Sequence, residues 1–345
     1  MQTIEQPAHR IEDAAAPLWF GSGPTTWGDV VHTVDPESTH SAAEMITAAG
    51  LDWRVEQHPL DAVVEREREA LRLPVPRYVA TVRSDTRAVL GVVGEGYEPL
   101  QNRAAFAFCD AITDSGRAHW IAAGATRGGA RVHALMRLDR EIRIGGAEGE
   151  DVLPLLCFRN GHDGGLAVTV SVLPFRLVCL NGMLLPVEGA ERTWKARHTA
   201  NVEAKLADAR RTLGIAWRYY DELETLGGRL IGARMDAREF ERFLARLVPL
   251  PEPKPDATDG GRAVRNAERV REAIRTAYGA APDLENVRGT RWGALQAVTG
   301  YVDHVQPTRQ TAGRTHAEAR FERAIEPQPL KDRALVLLTE GGNER

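Results

Sequence analysis

His162 and Asp163 stand side by side in the run Phe158-Arg159-Asn160-Gly161-His162-Asp163-Gly164-Gly165. An imidazole nitrogen next to a carboxylate offers a general base, or two ligands for a metal ion. With His198 added from downstream, His162, Asp163 and His198 form the candidate catalytic set of a metal-dependent hydrolase or nuclease. His162, His198 and His304 are the histidines available to a metal, provided three distant segments converge. The same run also reads as architecture. Asp and Gly are the residues tight turns demand, the glycines accept positive φ, and spacing fixes no further ligand, so the turn reading is the stronger one.

Cys179, in Phe175-Arg176-Leu177-Val178-Cys179-Leu180-Asn181-Gly182, shares one side of a strand-like run with Phe175 and Leu177. A catalytic thiol needs a neighbouring base and a positive field, so core packing fits it better. Asn181 is expected to bond backbone at the strand end. Gly94-Glu95-Gly96 is followed by Tyr97-Glu98-Pro99 and by no Gly-Lys-Ser or Gly-Lys-Thr, which makes it a hairpin-end turn and not a phosphate loop.

A second chemistry is carried by cations. Arg127-Gly128-Gly129 with Arg131 makes a hairpin tip where guanidinium groups and backbone amides can grip phosphates. Arg176, Lys195, Arg197, Arg210 and Arg211 extend the basic set, and Trp194 lies within it as a surface for base stacking. Cations to neutralise a backbone, with an aromatic among them, are what single-strand binding needs. An ordinary solvated helix face explains the same residues.

The elements that must position these groups fall into two regions. Residues 1–37 read as an irregular arm that docks by Trp19, Phe20 and Trp27. Residues 38–200 read as an antiparallel α+β domain. A short helix is capped by Ser41 with Glu44 three residues on and stopped by Gly50. Hairpins are expected at Tyr78–Val82 with Val89–Val93, and at Trp120–Ala123 with Arg131–Met136. A helix over Asn102–Thr113 buries Cys109. Val63–Leu73, rich in alternating Glu and Arg, reads as a solvated loop or short helix. Leu166, Val168, Val170 and Val172 alternate with Ala167, Thr169 and Ser171, the period of a half-buried strand, which Pro174 ends or places at an edge.

From Thr199 the period becomes helical, through a long amphipathic helix that Gly227-Gly228 ends or kinks. Further helices are expected at Ala237–Leu247, Arg262–Tyr278, Thr290–Val305, Ala317–Ala324 and Leu330–Leu338, with a Pro/Gly-rich loop near 249–261. The fold class is therefore α+β: an antiparallel sheet built from hairpins with flanking helices, then a mainly helical C-terminal region at 201–345.

Of 345 residues, 43% are hydrophobic and 27% charged, enough to bury one large core or two ordinary ones. A net charge of -4 excludes a surface coated in Lys and Arg but leaves local basic patches. Three cysteines, irregularly spaced, make neither a disulfide framework nor a zinc ribbon and fit a reducing cytoplasm. The first residues lack the pattern of a secretion signal, and no apolar run reaches the ~20 residues needed to cross a bilayer. The expectation is a cytoplasmic protein without membrane contact. No cofactor motif is present.

Around the His162-Asp163-Gly164 turn the chain resembles the phage/plasmid-like protein family, a domain of unknown function. The resemblance runs from Ala49–Val55, through Val92–Asn102 and the turn, to Arg176–Asn181, Arg197-His198-Thr199, Trp292-Gly293 and Tyr301–His304. The family usually has Thr after the Asn at position 181, where this chain has Gly182. The resemblance implies a mobile-element setting. The order of a helix, hairpins with a basic tip and a long helix is also similar to single-strand annealing proteins of the RecT and Redβ type. The expected partner is DNA, single strands included, with a homo-oligomer in view; a non-enzymatic binder leads, and a module that engages a host protein is the remaining alternative.

Overall fold

The computed structural model describes residues 30–340, apart from 36–37, 67–68, 147–148, 177–180, 200–208, 253–260 and 312. Trp19, Phe20, Trp27 and Cys179 lie outside the described residues, as does most of the Pro/Gly-rich loop. Inside the stretch read as an irregular arm, β1 (Val31–Thr33) pairs with a strand of the main sheet. Helix α1 (Ala42–Ala48) begins as expected: Ser41 Oγ accepts from the Glu44 N–H, and the Glu44 carboxylate accepts from the Ser41 N–H.

Strands β2 (Val55–Arg66), β3 (Glu69–Arg83) and β4 (Val89–Gly94) form a small antiparallel sheet in that order. The loop or helix expected at 63–73 is corrected here. Consecutive charged residues conceal a period-two pattern from a hydrophobicity reading, and Ala62↔Leu73 and Val64↔Leu71 pair as a two-stranded ribbon beyond the end of β4.

Helix α2 (Asn102–Thr113) follows, then β5 (Ala118–Thr126), β6 (Arg131–Leu138), β7 (Ile142–Ile144), β8 (Glu150–Gly161), β9 (Val168–Arg176), β10 (Asn181–Gly182) and β11 (Thr193–Ala196). They build an antiparallel sheet ordered β1-β5-β6-β8-β9, with β10 and β11 both against β9 and β7 beside β8. A single turn of 3₁₀ helix, Arg127–Gly129, joins β5 to β6.

Both faces of this sheet are covered. Phe158 of β8 meets Phe108 of α2, while the next residue, Arg159, points the other way beside His133, whose ring meets Phe321. Strand β9 is therefore buried on both sides along its whole length, where alternation had suggested one wet face. Nor does Pro174 end it. Pro174 sits opposite Pro154, and its carbonyl accepts from the Met183 N–H, so the missing N–H leaves the strand intact.

The helical third comprises α3 (Ala209–Gly232), α4 (Ala237–Leu247), α5 (Arg262–Ala280), α6 (Arg291–Gly300), α7 (His316–Ile325) and α8 (Pro329–Glu340). Helix α6 runs on into one π-helical turn, Tyr301–Val305. Helix α3 passes through Gly227-Gly228 without stopping. A Cβ on Gly227 would lie 2.2 Å from Ile144 Cγ2, so this glycine serves close packing of helix on strand. The buried apolar side chains form one continuous set from Val31 to Leu338.

Candidate functional site

The turn at His162–Gly165 exists, but His162 is not on an exposed loop. Its side chain is fully buried, its N–H donates to the Ala130 carbonyl, and its carbonyl accepts from Thr81 Oγ at 2.7 Å. Trp53 meets the ring edge-on at 5.6 Å. Asn102, also buried, lies 3.1 Å from His162 Nε2 through its Oδ1, and its Nδ2 donates to the Leu51 carbonyl at 2.9 Å.

Asp163 behaves as a turn residue. Its Oδ1 accepts from the Gly165 N–H at 2.8 Å, and its backbone rests on Gly91, where a Cβ would come within 2.6 Å of Asp163 Cα. His198 does converge on this place. Its ring stacks on Tyr97 at 4.7 Å between centroids, and the Tyr97 hydroxyl donates to the Gly161 carbonyl at 2.5 Å. Burial first, then the neighbouring His198, pushes His162 down to about 3. Burial lowers His198 as well, opposed by the Glu98 and Leu166 carbonyls and by Asp163. Those carbonyls favour the His198 proton, yet no well-formed hydrogen bond reaches either of its ring nitrogens. Both rings are neutral at pH 7.

His304 is elsewhere. Its Nε2 lies 2.9 Å from Asn181 Oδ1, because Asn181 Nδ2 is turned to Thr299 Oγ at 3.0 Å. Asn181 thus bonds side chains of the last helices and not the strand backbone expected. Beside it Lys331 and Asp303 form a buried ion pair at 2.6 Å, and both hold Gly182: Asp303 accepts from its N–H and Lys331 donates to its carbonyl. A Cβ on Gly182 would fall 2.3 Å from the Ala324 carbonyl, so the Thr usual in the resembling family has no room here. The triad His162, His198 and His304 is not assembled, and among the described residues no group of three His, Cys, Asp or Glu could hold a metal ion. Cys109 and Cys157 are buried thiols, Cys109 pushed well up by burial and Cys157 to about 12, which makes neither a nucleophile.

Three of the cations assigned to DNA are engaged inside the protein. Arg176 is completely buried; it binds the Glu150 carboxylate and Asp283, and Trp292 Nε1 donates to the same Glu150. It cannot reach a phosphate. Arg127, at a left-handed φ of 56°, is bidentate to Glu322 at 2.9 and 2.8 Å, with its N–H donating to Glu318. Burial raises Glu322, but bonds from Arg127 and Thr126 win and hold it below the usual carboxylate range. Arg131 lies between Asp163 and Glu326, its guanidinium 13% exposed. Trp194 is half-buried and stacked toward Phe108 at 6.4 Å, so it offers no open stacking face. The side chains of Arg210 and Arg211, in the first turns of α3, lie outside the described residues.

Lys195 and Arg197 are different: both are exposed, and no ion pair among the described residues neutralises them. Arg197 precedes His198, whose carbonyl accepts from the Glu98 N–H, which brings it to the 94–98 turn. On the other side of that turn stands Arg77, exposed at a left-handed φ of 65°, its carbonyl accepting from the Glu95 N–H. Tyr78 follows, 52% exposed, opposite Gly94. Lys195, Arg197, Arg77 and Tyr78 thus border one turn, interrupted by the exposed carboxylates Glu95 and Glu98. The sequence reading missed Arg77 and Tyr78 because it scanned for dense basic runs, and these two sit where β3 leaves its pairing with β4. It missed Tyr97 and Asn102 as neighbours of the histidines although both belong to the resembling stretch Val92–Asn102.

Fold and site together define an α+β protein with a sandwiched antiparallel sheet, a buried pair of histidines and no assembled metal centre among the described residues. A family model, the domain of unknown function DUF932, matches residues 89–325, and the chain belongs to that family. No curated protein and no solved structure matches it. No helix among the described residues is long and apolar enough to cross a membrane.

Proposed function

We propose that the protein binds DNA, single strands in preference, in the recombination or replication of a mobile element. The supporting observation is the border of the 94–98 turn, where Lys195, Arg197 and Arg77 are exposed beside the open ring of Tyr78. Cations that contact phosphate and an aromatic that stacks a base suit a strand whose bases are unpaired. The ion-paired Arg127, Arg131 and Arg176 take no part. Fluorescence anisotropy with labelled single- and double-stranded oligonucleotides at two salt concentrations tests this: single strands should bind more tightly, with affinity falling as salt rises. Absence of binding to either form in low salt would sink the proposal.

A second reading is hydrolytic chemistry at His162 and His198. What favours it is the orientation of His162: a buried Asn102 fixes one ring nitrogen and leaves the other facing His198 without a hydrogen-bond partner. Elemental analysis of protein purified without chelator, compared with His162→Ala, examines it. Bound metal that disappears in the variant would support it, and metal-free wild-type protein inert toward nucleic acid would remove it.

A further inference from the structure

Among the described residues, ten large apolar side chains are exposed, and seven of them are Val63, Val64, Leu71, Leu73, Tyr78, Val89 and Val92, all on the small sheet. The first four belong to the free ribbon of β2 and β3. Cross-strand partners share a face, so Ala62, Leu73, Val64 and Leu71 make one wholly apolar side of that ribbon. The opposite side carries Asp61, Val63 and Glu65 from β2 against Pro74, Arg72 and Ala70 from β3. Such an uncovered, two-stranded apolar face is not stable in isolation and invites a partner.

The distribution of charge says which partner. On the ribbon β2 is acidic, with Asp61 and Glu65, while β3 is basic, with Arg72 75% exposed and Arg77 at its root. Arg66 and Glu69, paired beside the turn, cancel. Asp61 and Arg72 only approach each other, at 4.0 Å, and remain free to act outward. A ribbon with one acidic and one basic strand is complementary to itself.

We propose that this face docks on the same face of a second copy of the chain, about a two-fold axis running along the ribbon. That axis lays β2 of each copy over β3 of the other, acid over base. The perpendicular in-plane axis would lay acid over acid. Packed sheets lie about 10 Å apart, comparable with the Debye length of about 10 Å at 0.1 M salt, so the charges help select the first arrangement and salt weakens it. Nucleic acid is a poor occupant, because four apolar side chains neutralise no phosphate. The interface is separate from Lys195 and Arg197 and goes beyond DNA binding.

Sedimentation velocity of the full chain over a hundredfold concentration range, in low and high salt, tests the proposal. The expected result is a concentration-dependent dimer. Val64→Glu with Leu71→Glu should raise its dissociation constant about tenfold or more with an unchanged far-ultraviolet spectrum and melting temperature, since both residues face solvent in the single chain. Arg72→Glu should weaken the dimer in low salt, and Asp61→Lys with Glu65→Lys added to it should restore it. A wild-type monomer at every concentration, or association indifferent to all these changes, would overturn the idea. So would a monomer whose Val64→Glu, Leu71→Glu variant loses DNA binding, because the ribbon would then be a nucleic-acid arm.

Discussion

Asn102 decides which nitrogen of His162 carries the proton. Because Asn102 Nδ2 donates to the Leu51 carbonyl, its Oδ1 is the atom that faces His162, and His162 must donate from Nε2. The lone pair is then left on Nδ1, buried beside His198. His133 obeys the same logic. The Thr126 hydroxyl donates to Glu322 at 2.9 Å and so accepts from His133 Nε2 at 3.0 Å.

Asn102→Ala should therefore cost about 1–3 kcal/mol, because it strands a buried ring N–H and a buried carbonyl together. Urea denaturation measures the loss. In the native protein, nitrogen chemical shifts of His162 should report the Nε2–H tautomer; in the variant that preference should vanish.

The two buried histidines set a pH dependence. Burial depresses His133 and His162 to about 3, against 6.5 for the free side chain. Below pH 6.5 the unfolded chain takes up protons that the folded chain refuses, so stability is complete above that pH and is lost as pH falls toward 3. The slope should approach about 1.4 kcal/mol per pH unit for each ring. Melting temperatures between pH 7 and 4 check the sign, and His133→Gln should flatten the curve.

The Asp303–Lys331 pair is enclosed, each side chain 2% exposed. Lys331→Met should destabilise by about 3–5 kcal/mol by leaving a buried carboxylate alone. Adding Asp303→Leu should recover much of that loss, though the Gly182 N–H then lacks its acceptor. Chemical denaturation of the two single variants and the double variant gives the coupling.

Arg127 and Arg197 should part company experimentally. Arg127→Ala uncouples the buried Glu322 and should lower the melting temperature while leaving single-strand affinity of the folded protein unchanged. Lys195→Ala with Arg197→Ala should weaken binding and reduce its salt dependence, with the melting temperature unmoved. Calorimetry and anisotropy on the same preparations separate the two effects.

The sequence by itself determined the local elements. Ser41 with Glu44, the apolar spacing of Asn102–Thr113 and the helices after residue 236 were legible because capping and periodicity act over a few residues. It determined the family as well, through motifs strung along the chain. What it could not show is which charges meet. Arg127 with Glu322, Arg176 with Asp283 and Lys331 with Asp303 are brought together by packing the helical third onto the sheet. Whether a cation faces water or a buried carboxylate depends on that packing, so only the tertiary structure withdrew Arg127, Arg131 and Arg176 from the surface. It joined His162 to His198 by the same means, and left His304 with Asn181.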